Sequence, residues 1–447
     1  MINRIVYVVF FSVLSFDYMV HHLSLAPRVL TWAPEFIGIF LSAVIVLCLV
    51  HQHKLEIATK YIYLIALYLT ILIVGILFSD SSIKTTLVGL RVHLKFLPFF
   101  LLPAVYAFSN EQLKYQLLFL FPLLVLQTPL ALYQRFIQFR HLYTGDVISG
   151  TMGVSGSLSI LMVCCISVLL GLYMKKCISR KTFLLSAIAF LIPTIINETK
   201  VTLFLLPIAL AAPLFFFQKS SNKRMKAVFV SSLIGILSIS VFIPAYDYMY
   251  PRSKGIVGFL QSEKDFNRYF FPGRYETGDF DVRRGDAILF AFKNLTKDPV
   301  HFFFGLGTGS TKVSFDRSLS GEHADRARRA GANAMVFTYH FWEIGLLGFA
   351  VYALFYWFIL RDAVAMMRVD GFFGPFALGW TGVVLVMGIA LFYSSYIHNN
   401  ALNLLFWYFS GIVASRAYRM RLLLRSQYMR VMRYDRAPAP DIIGTRA

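Results

Sequence analysis

Three arginines in one hydrophilic segment are the residues best suited to bind an anionic group. Arg274, Arg283 and Arg284 precede a short amphipathic run within residues 247–335. A guanidinium presents a planar fork of donors that matches the oxygens of a phosphate. Three such groups beside a membrane-facing run favour binding of a diphosphate. The alternative is that they are solvated loop charges.

Two further sets of cations lie inside or beside apolar segments. Arg91 and Lys95 are spaced i,i+4 and therefore share one face of a predicted helix. Lys200 follows Glu198 in a polar break between two apolar stretches. Because ionisable groups at membrane depth are costly and usually functional, these cations are candidates for the same diphosphate. The alternatives are that Arg91 and Lys95 reach the lipid headgroups and that Lys200 pairs with Glu198.

A glycine-rich hexamer follows the arginines, with Gly305, Gly307 and Gly309 at alternate positions. No strand–helix context indicates a dinucleotide-binding turn, and no Gly-Lys-Ser indicates a P-loop. The pattern predicts a tight turn whose backbone amides can approach an anion.

The remaining acidic and cysteine residues predict neither a metal site nor a redox site. Asp279-Phe280-Asp281 has the spacing of a divalent-metal motif, but two acids at this spacing often occur by chance in a polar loop. Asp17 and His21 are spaced i,i+4, and we predict a structural pair there. The four cysteines lie in or beside apolar runs without C-x-x-C spacing, which is typical of small buried side chains. We therefore expect no metal and no other cofactor.

Composition indicates the class of protein. Of 447 residues, 57% are hydrophobic and 15% are charged, and the mean hydropathy is +0.64. These values exclude soluble, disordered, collagen-like and disulfide-stapled chains. Apolar windows of about 20 residues, the length of a membrane-crossing helix, predict an all-α polytopic integral membrane protein with about twelve transmembrane helices. The predicted spans are residues 4–21, 34–51, 60–78, 85–108, 115–135, 154–174, 182–197, 200–217, 227–246, 336–360, 374–396 and 399–417.

Basic residues in short loops predict the orientation of these spans. Residues 175–181 and 219–226 each carry four positive charges, and both follow even-numbered spans. We therefore predict that both loops and both termini are cytoplasmic. The net charge of +20 follows from this topology, so no nucleic-acid partner is expected. The basic tail is similar to an interfacial helix on anionic membrane lipids.

This topology divides the chain into four parts. The single large extracytoplasmic loop is the natural place for chemistry, because spans at both of its ends hold it at the membrane surface. The parts are spans one to nine (1–246), the extracytoplasmic loop (247–335), spans ten to twelve (336–417) and the basic cytoplasmic tail (418–447).

The segment that begins at Arg284 resembles a known family. Arg284-Gly285-Asp286, an amphipathic run, Asp298-Pro299 and then Phe304-Gly305-Leu306-Gly307-Thr308-Gly309 resemble the R…P…G-x-G-x-G signature of the bacterial O-antigen ligase and Wzy-type polysaccharide polymerase superfamily. Trp342-Glu343-Ile344-Gly345-Leu346-Leu347-Gly348 is similar to that family's E-x-G-L-L-G helix. Twelve spans with a large outer loop late in the chain also agree. The resemblance implies a fold related to the GT-C type.

The resemblance also implies an activity and its partners. Members of the family are metal-independent glycosyltransferases of the bacterial inner membrane. They transfer a glycan from undecaprenyl diphosphate to an acceptor, which for a polymerase is a growing O-antigen or exopolysaccharide chain. The implied partners are the undecaprenyl-diphosphate-linked oligosaccharide, the polysaccharide acceptor, membrane lipids and other polysaccharide assembly proteins.

Site residues are carried over by position in the motifs. Arg284 matches the family's loop arginine, with Arg283 as its ambiguous neighbour, and Lys200 falls where the family often has arginine. The family's Ala-His-Asn appears here as Ala332-Asn333-Ala334, so His340 is the nearest candidate for the missing catalytic histidine and His323 is another. Because ligases usually keep that histidine, its absence favours a polymerase. The alternatives are an O-antigen ligase acting on lipid A-core, a polysaccharide flippase or exporter, and a non-enzymatic subunit of a secretion complex.

Overall fold

The computed structural model describes most of the chain. The described residues are 2–52, 54–142, 144–197, 199–249, 261–263, 284–312, 319–329 and 331–434. The chain is 79% helical, and no strand occurs among the described residues. The prediction of an all-α protein is confirmed.

Helices occupy all twelve predicted apolar segments, and two of these segments each contain two helices. Three shorter helices of the described chain lie between the ninth and the tenth segment. In chain order they are α1 (Ile2–His21), α2 (Ala33–Gln52), α3 (Thr59–Leu77), α4 (Ile83–Leu94), α5 (Leu97–Val105), α6 (Asn110–Val125), α7 (Gln127–Tyr133), α8 (Ser155–Met174), α9 (Arg180–Ile196), α10 (Thr202–Phe217), α11 (Ser221–Met249), α12 (Arg284–Leu295), α13 (Pro299–Phe304), α14 (Ala324–Arg329), α15 (Val336–Met366), α16 (Phe373–Ala390) and α17 (Asn400–Tyr434).

Seven helical segments of the described chain are long and apolar enough to cross a bilayer. An eighth crossing is formed if the bent pair α4 and α5 is taken as one span, with its 46° bend. These segments make the protein a polytopic membrane protein. The bend falls at Lys95 and Phe96, between the two helices, and Pro98 follows in the first turn of α5, where proline is accommodated.

The centre of the bundle is the contact between α8 and α16. Both are largely buried, with 78% and 83% of their apolar windows inside the protein. Gly171 and Gly379 allow the close approach, because a Cβ atom on Gly171 would lie 2.4 Å from the Gly379 amide nitrogen. Small residues allow membrane helices to pack backbone against backbone. The residues at the start of α8 and those that follow α16 line the site described below.

The described part of the hydrophilic segment is docked on the first turns of α15. Phe292 of α12 and Phe302 of α13 both pack on Phe341, with ring centroids 4.6 and 5.7 Å apart. Aromatic pairs of this kind contribute beyond the area that they bury. Helices α12 and α13 are therefore both fixed to α15.

Four predicted helix boundaries are wrong by six residues or more. The helix predicted for 227–246 begins at Ser221, and the helix predicted for 336–360 continues to Met366. The span predicted for 374–396 ends at Ala390, because the polar run that follows forms turns and a short 3₁₀ helix, Tyr396–His398. The last helix does not end near 417 but continues to Tyr434, with Leu422, Leu423 and Leu424 exposed beyond its buried first half. Residues 435–447 of the predicted tail lie outside the described residues.

Candidate functional site

Two polar cavities lie side by side at one end of the helix bundle. The first, here called the cation cavity, has a volume of about 300 Å³. The second, the Asp17 cavity, has a volume of about 220 Å³. Val154 and Ser395 line both of them, so the two cavities share a wall.

The cation cavity brings together two of the predicted anion-binding residues. Its polar lining consists of Asp146, Ser155, Thr199, Lys200, Arg284, Ser394 and Ser395. Lys200 and Arg284 are far apart in the sequence, and the structure places both on this one surface. The N-terminus of α8 also lines the cavity through Ser155 and Gly156. A helix N-terminus adds partial positive charge, so the cations and the helix favour an anion in the same place.

Contacts with Tyr393 hold Arg284 in position. The Arg284 Nε donates to the Tyr393 carbonyl over 2.9 Å, and the guanidinium lies 4.1 Å from the centroid of the Tyr393 ring. Stacking on an aromatic face combined with a directed hydrogen bond fixes the plane of a guanidinium. A lysine ammonium has no plane to stack and no Nε donor, so Lys cannot reproduce this arrangement.

The break before Lys200 is held by a buried amide. Asn197 donates from Nδ2 to the Ser155 carbonyl over 2.9 Å and to the Ser159 hydroxyl over 2.8 Å. Its Oδ1 accepts from the Thr199 amide at 3.2 Å. These bonds tie the break between α9 and α10 to the first turn of α8. Glu198, the predicted partner of Lys200, lies outside the described residues.

The Asp17 cavity is lined by different polar groups. They include Asp17, Thr31, Ser157, His398, Asn399 and Asn400. Asn399 donates from Nδ2 to the Met152 carbonyl over 2.8 Å, which joins the segment before α17 to the segment before α8. The surrounding protein lowers the pKa of His398 by desolvation, and the cations Lys95 and Lys312 lower it further.

Arg91 and Lys95 belong to a separate cluster behind the Asp17 cavity. Lys95 Nζ donates to Asn400 Oδ1 over 2.9 Å, and Arg91 lies 4.3 Å from the centroid of the Trp32 ring. Lys312 is close enough that its pKa falls to about 8, mainly through burial and next through the charge of Arg91. Arg91 and Lys95 are not among the described residues that line the cation cavity. The structure therefore separates them from Arg284 and Lys200.

The glycine-rich turn is packed inside the protein, and the anion at its amides is a side chain of the chain itself. Gly305, Gly307 and Gly309 have φ angles of +76°, +90° and +84°, which glycine adopts most easily. The Gly309 amide donates to Glu343 Oε2 over 3.0 Å, and the Thr311 hydroxyl donates to Glu343 Oε1 over 2.8 Å.

Glu343 is tied to the first half of the chain as well. His93 Nε2 lies 2.9 Å from Glu343 Oε2, and Tyr68 lies 3.0 Å from the other ring nitrogen of His93. Gly345, with a φ angle of +66°, kinks α15 beside the glycine-rich turn. The motif that resembles E-x-G-L-L-G thus holds this turn in place.

The structure does not bring His340 to the cavities. His340 is a fully buried side chain, 0% exposed. Its Nδ1 donates to the Val336 carbonyl over 3.0 Å, within the same helix. His340 is not among the described residues that line either cavity. Its role as the base stays a prediction.

Several residues singled out from the sequence lie outside the part of the chain that the structure describes. Arg274, Arg283 and Asp279-Phe280-Asp281 lie outside the described residues. Among the residues that are described, no three His, Cys, Asp or Glu side chains form a group that could hold a metal ion. The expectation of metal-free chemistry stays a prediction.

The sequence analysis missed most of the polar lining of the two cavities. Asp146, Ser394, Ser395, His398 and Asn399 were not singled out. One signal was present, because the polar run 394–400 interrupts two apolar spans. Asp146 carried no comparable signal.

No protein-family model matches the chain, and no curated protein matches its sequence.

Proposed function

We propose that the protein is a membrane glycosyltransferase that joins a glycan from an undecaprenyl-diphosphate-linked donor to a growing polysaccharide. The observation that carries this proposal is the meeting of Lys200, Arg284 and the N-terminus of α8 on the cation cavity. We assign the diphosphate of the donor to this cavity. Asp146, which also lines it, is placed to hydrogen-bond a sugar hydroxyl of the donor rather than the diphosphate, because like charges repel.

The chemistry that this site supports is stabilisation of a leaving group. As the glycosidic bond breaks, negative charge develops on the diphosphate. Fixed cations in a site with little water stabilise that charge more than bulk water does. Arg284 is held in place by Tyr393 before any substrate binds, so its orientation costs little during the reaction. The shared wall of the cavities favours entry of the acceptor hydroxyl from the Asp17 cavity.

We further propose twelve crossings with both termini in the cytoplasm of a bacterial inner membrane, in a GT-C-like arrangement. One ionic cluster and one backbone contact support a crossing by α3. Asp362 of α15 binds Lys60, in the first turn of α3, over 2.8 Å and also contacts Arg421 of α17. The opposite end of α3 contacts the glycine-rich turn, since a Cβ on Gly75 would lie 2.9 Å from the Phe304 carbonyl. Helix α3 thus connects the glycine-rich turn to the Asp362 cluster.

Between polymerase and ligase, we propose a polymerase. The family histidine that ligases usually keep is replaced by Ala332-Asn333-Ala334. Asn333 takes the place of that histidine, and the next residue, Ala334, lines the cation cavity. A polymerase of this kind would use lipid-linked repeats as both donor and acceptor and would work with other polysaccharide assembly proteins.

The proposal is tested by transfer with purified protein in lipid nanodiscs. Undecaprenyl-diphosphate-linked repeat units are added in excess EDTA, and glycan length is read on a gel. We expect a ladder of products from the wild type. Arg284→Lys and Lys200→Ala should each lower kcat/KM by about 10²–10³-fold, as removal of one donor to a developing charge does in other enzymes. The matched control is Lys293→Ala, which removes an exposed cation from α12.

Three results would contradict the proposal or part of it. Transfer by Arg284→Lys at the wild-type rate would show that the fork of donors has no role. Loss of transfer in EDTA with recovery in Mg²⁺ would replace the metal-free mechanism. No transfer by the wild type, together with movement of lipid-linked repeats across vesicle membranes, would make the protein a flippase.

A further inference from the structure

A carboxylate that the sequence predicted to form a structural pair lies beside the wall between the two cavities. Asp17 lies near the end of α1 and lines the Asp17 cavity. Its Oδ2 lies 2.6 Å from the point that a Cβ atom on Gly153 would occupy. Gly153 has a φ angle of +70°, and the next residue, Val154, lines both cavities. The carboxylate therefore lies against the backbone at the boundary between the two cavities.

We propose that Asp17 is the catalytic base that takes the proton of the acceptor hydroxyl. This inference rests on the proposed function, because it assumes that the donor diphosphate occupies the cation cavity. With the diphosphate beside Arg284 and Lys200, the anomeric carbon of the donor faces the shared wall. An acceptor hydroxyl in the Asp17 cavity then lies between that carbon and the carboxylate.

The step balances without a further reactant. The acceptor oxygen forms a bond to the anomeric carbon while the bond from that carbon to the diphosphate oxygen breaks. The electron pair of the broken bond leaves with the diphosphate, which Arg284 and Lys200 neutralise. The hydroxyl proton moves to Asp17 and then to water. The products are the elongated glycan and undecaprenyl diphosphate.

Electrostatics favour Asp17 over the other titratable group of the same cavity. His398 would have to become a cation near Lys95 and Lys312, which already disfavour its charged form. A carboxylate also stabilises the positive charge that develops on the sugar ring during transfer, which an imidazole cannot do.

The test measures kcat and KM separately in the nanodisc transfer assay. Asp17→Asn preserves size and hydrogen bonding but cannot take the proton, so we expect kcat to fall by about 10²–10⁴-fold. The KM for the donor should change little, because the cation cavity is intact. Asp17→Glu should retain part of the activity. Asp17→Ala should regain activity in sodium formate, since the cavity of about 220 Å³ has room for a small carboxylate.

Asp370→Asn is the matched control, because this exposed carboxylate lies in the turn between α15 and α16. It should retain the wild-type kcat. A wild-type kcat in Asp17→Asn overturns the inference and leaves the proposed function intact. A loss of activity that neither Asp17→Glu nor formate restores also overturns it, because a structural role would then explain the loss. If the wild-type protein transfers no glycan, the proposed function falls, and the role of Asp17 falls with it.

Discussion

The buried carboxylate of Glu343 connects three parts of the chain, and its removal should loosen all of them. Oε2 faces His93 at 2.9 Å and accepts from the Gly309 amide at 3.0 Å. Oε1 accepts from the Thr311 hydroxyl at 2.8 Å. Glu343 and His93 have side chains that are 0% exposed. The informative substitution is Glu343→Gln, which keeps the shape and removes the charge.

The cost follows from how a glutamine amide would fit. The amide introduced by Glu343→Gln could be oriented in two ways. Fewer hydrogen bonds are lost when its oxygen faces His93 and Gly309 and its NH₂ group faces Thr311, because the Thr311 hydroxyl can rotate and accept. The Thr311 amide, 3.4 Å from Oε1, then loses its acceptor. One unsatisfied buried donor costs about 1–3 kcal/mol. The remaining hydrogen bonds also become weaker because their acceptor is no longer charged, so we expect a total of roughly 2–4 kcal/mol.

The assay is denaturant unfolding in mixed micelles, followed by tryptophan fluorescence. The matched control is Glu322→Gln, an exposed carboxylate after the glycine-rich turn, which should change the free energy of unfolding by less than about 0.5 kcal/mol. The double variant of Glu343→Gln with His93→Gln should show a coupling energy of at least about 1 kcal/mol. Additive effects of the two substitutions would refute the direct bond, and an unchanged unfolding free energy in Glu343→Gln would refute the buried anchor.

Three further predictions concern topology, His340 and Lys312. A periplasm-active reporter fused after Ser320 should be active and one fused after Arg180 inactive, and equal activity would contradict the topology. His340→Gln should lower the stability and leave kcat within about threefold of wild type, since the buried ring reaches neither cavity; a loss of 10²-fold or more would restore it as the base. Lys312 has a pKa of about 8 in the folded protein against 10.5 unfolded. The unfolded chain binds more protons between these values, so the free energy of unfolding should rise with pH in that window, and less so in Lys312→Met.

The sequence predicted the helices well because apolar length alone defines a membrane helix. Helices α1, α2 and α3 begin and end within two residues of the predicted spans 4–21, 34–51 and 60–78. The last two spans were less well predicted. A polar run such as 394–400 can extend a helix or interrupt it, and only the packing of the neighbouring helices decides which occurs.

Charge alone did not predict which residues would meet. Arg91, Lys95, Lys200 and Arg284 were all candidates for one diphosphate, and the structure divides them between two places. Helical spacing predicts which residues share a face of one helix, but it does not predict which other helix that face contacts. The same limit applies to Asp17, whose i,i+4 relation to His21 gave no indication of the cavity wall.

Buried amides account for much of what the sequence analysis missed. Gln134 accepts at Oε1 from the amides of Ser149 and Gly150 and donates from Nε2 to the Gly150 carbonyl. Asn197 and Asn399 hold the other breaks in the same way. Within a bilayer, irregular backbone is tolerated only where its polar groups are satisfied by protein or face a water-filled cavity. Each cavity wall is such an irregular segment, and an uncharged amide supplies its missing hydrogen bonds. The irregular segments around the two cavities are therefore held in position by glutamines and asparagines, which a search for charged residues does not find.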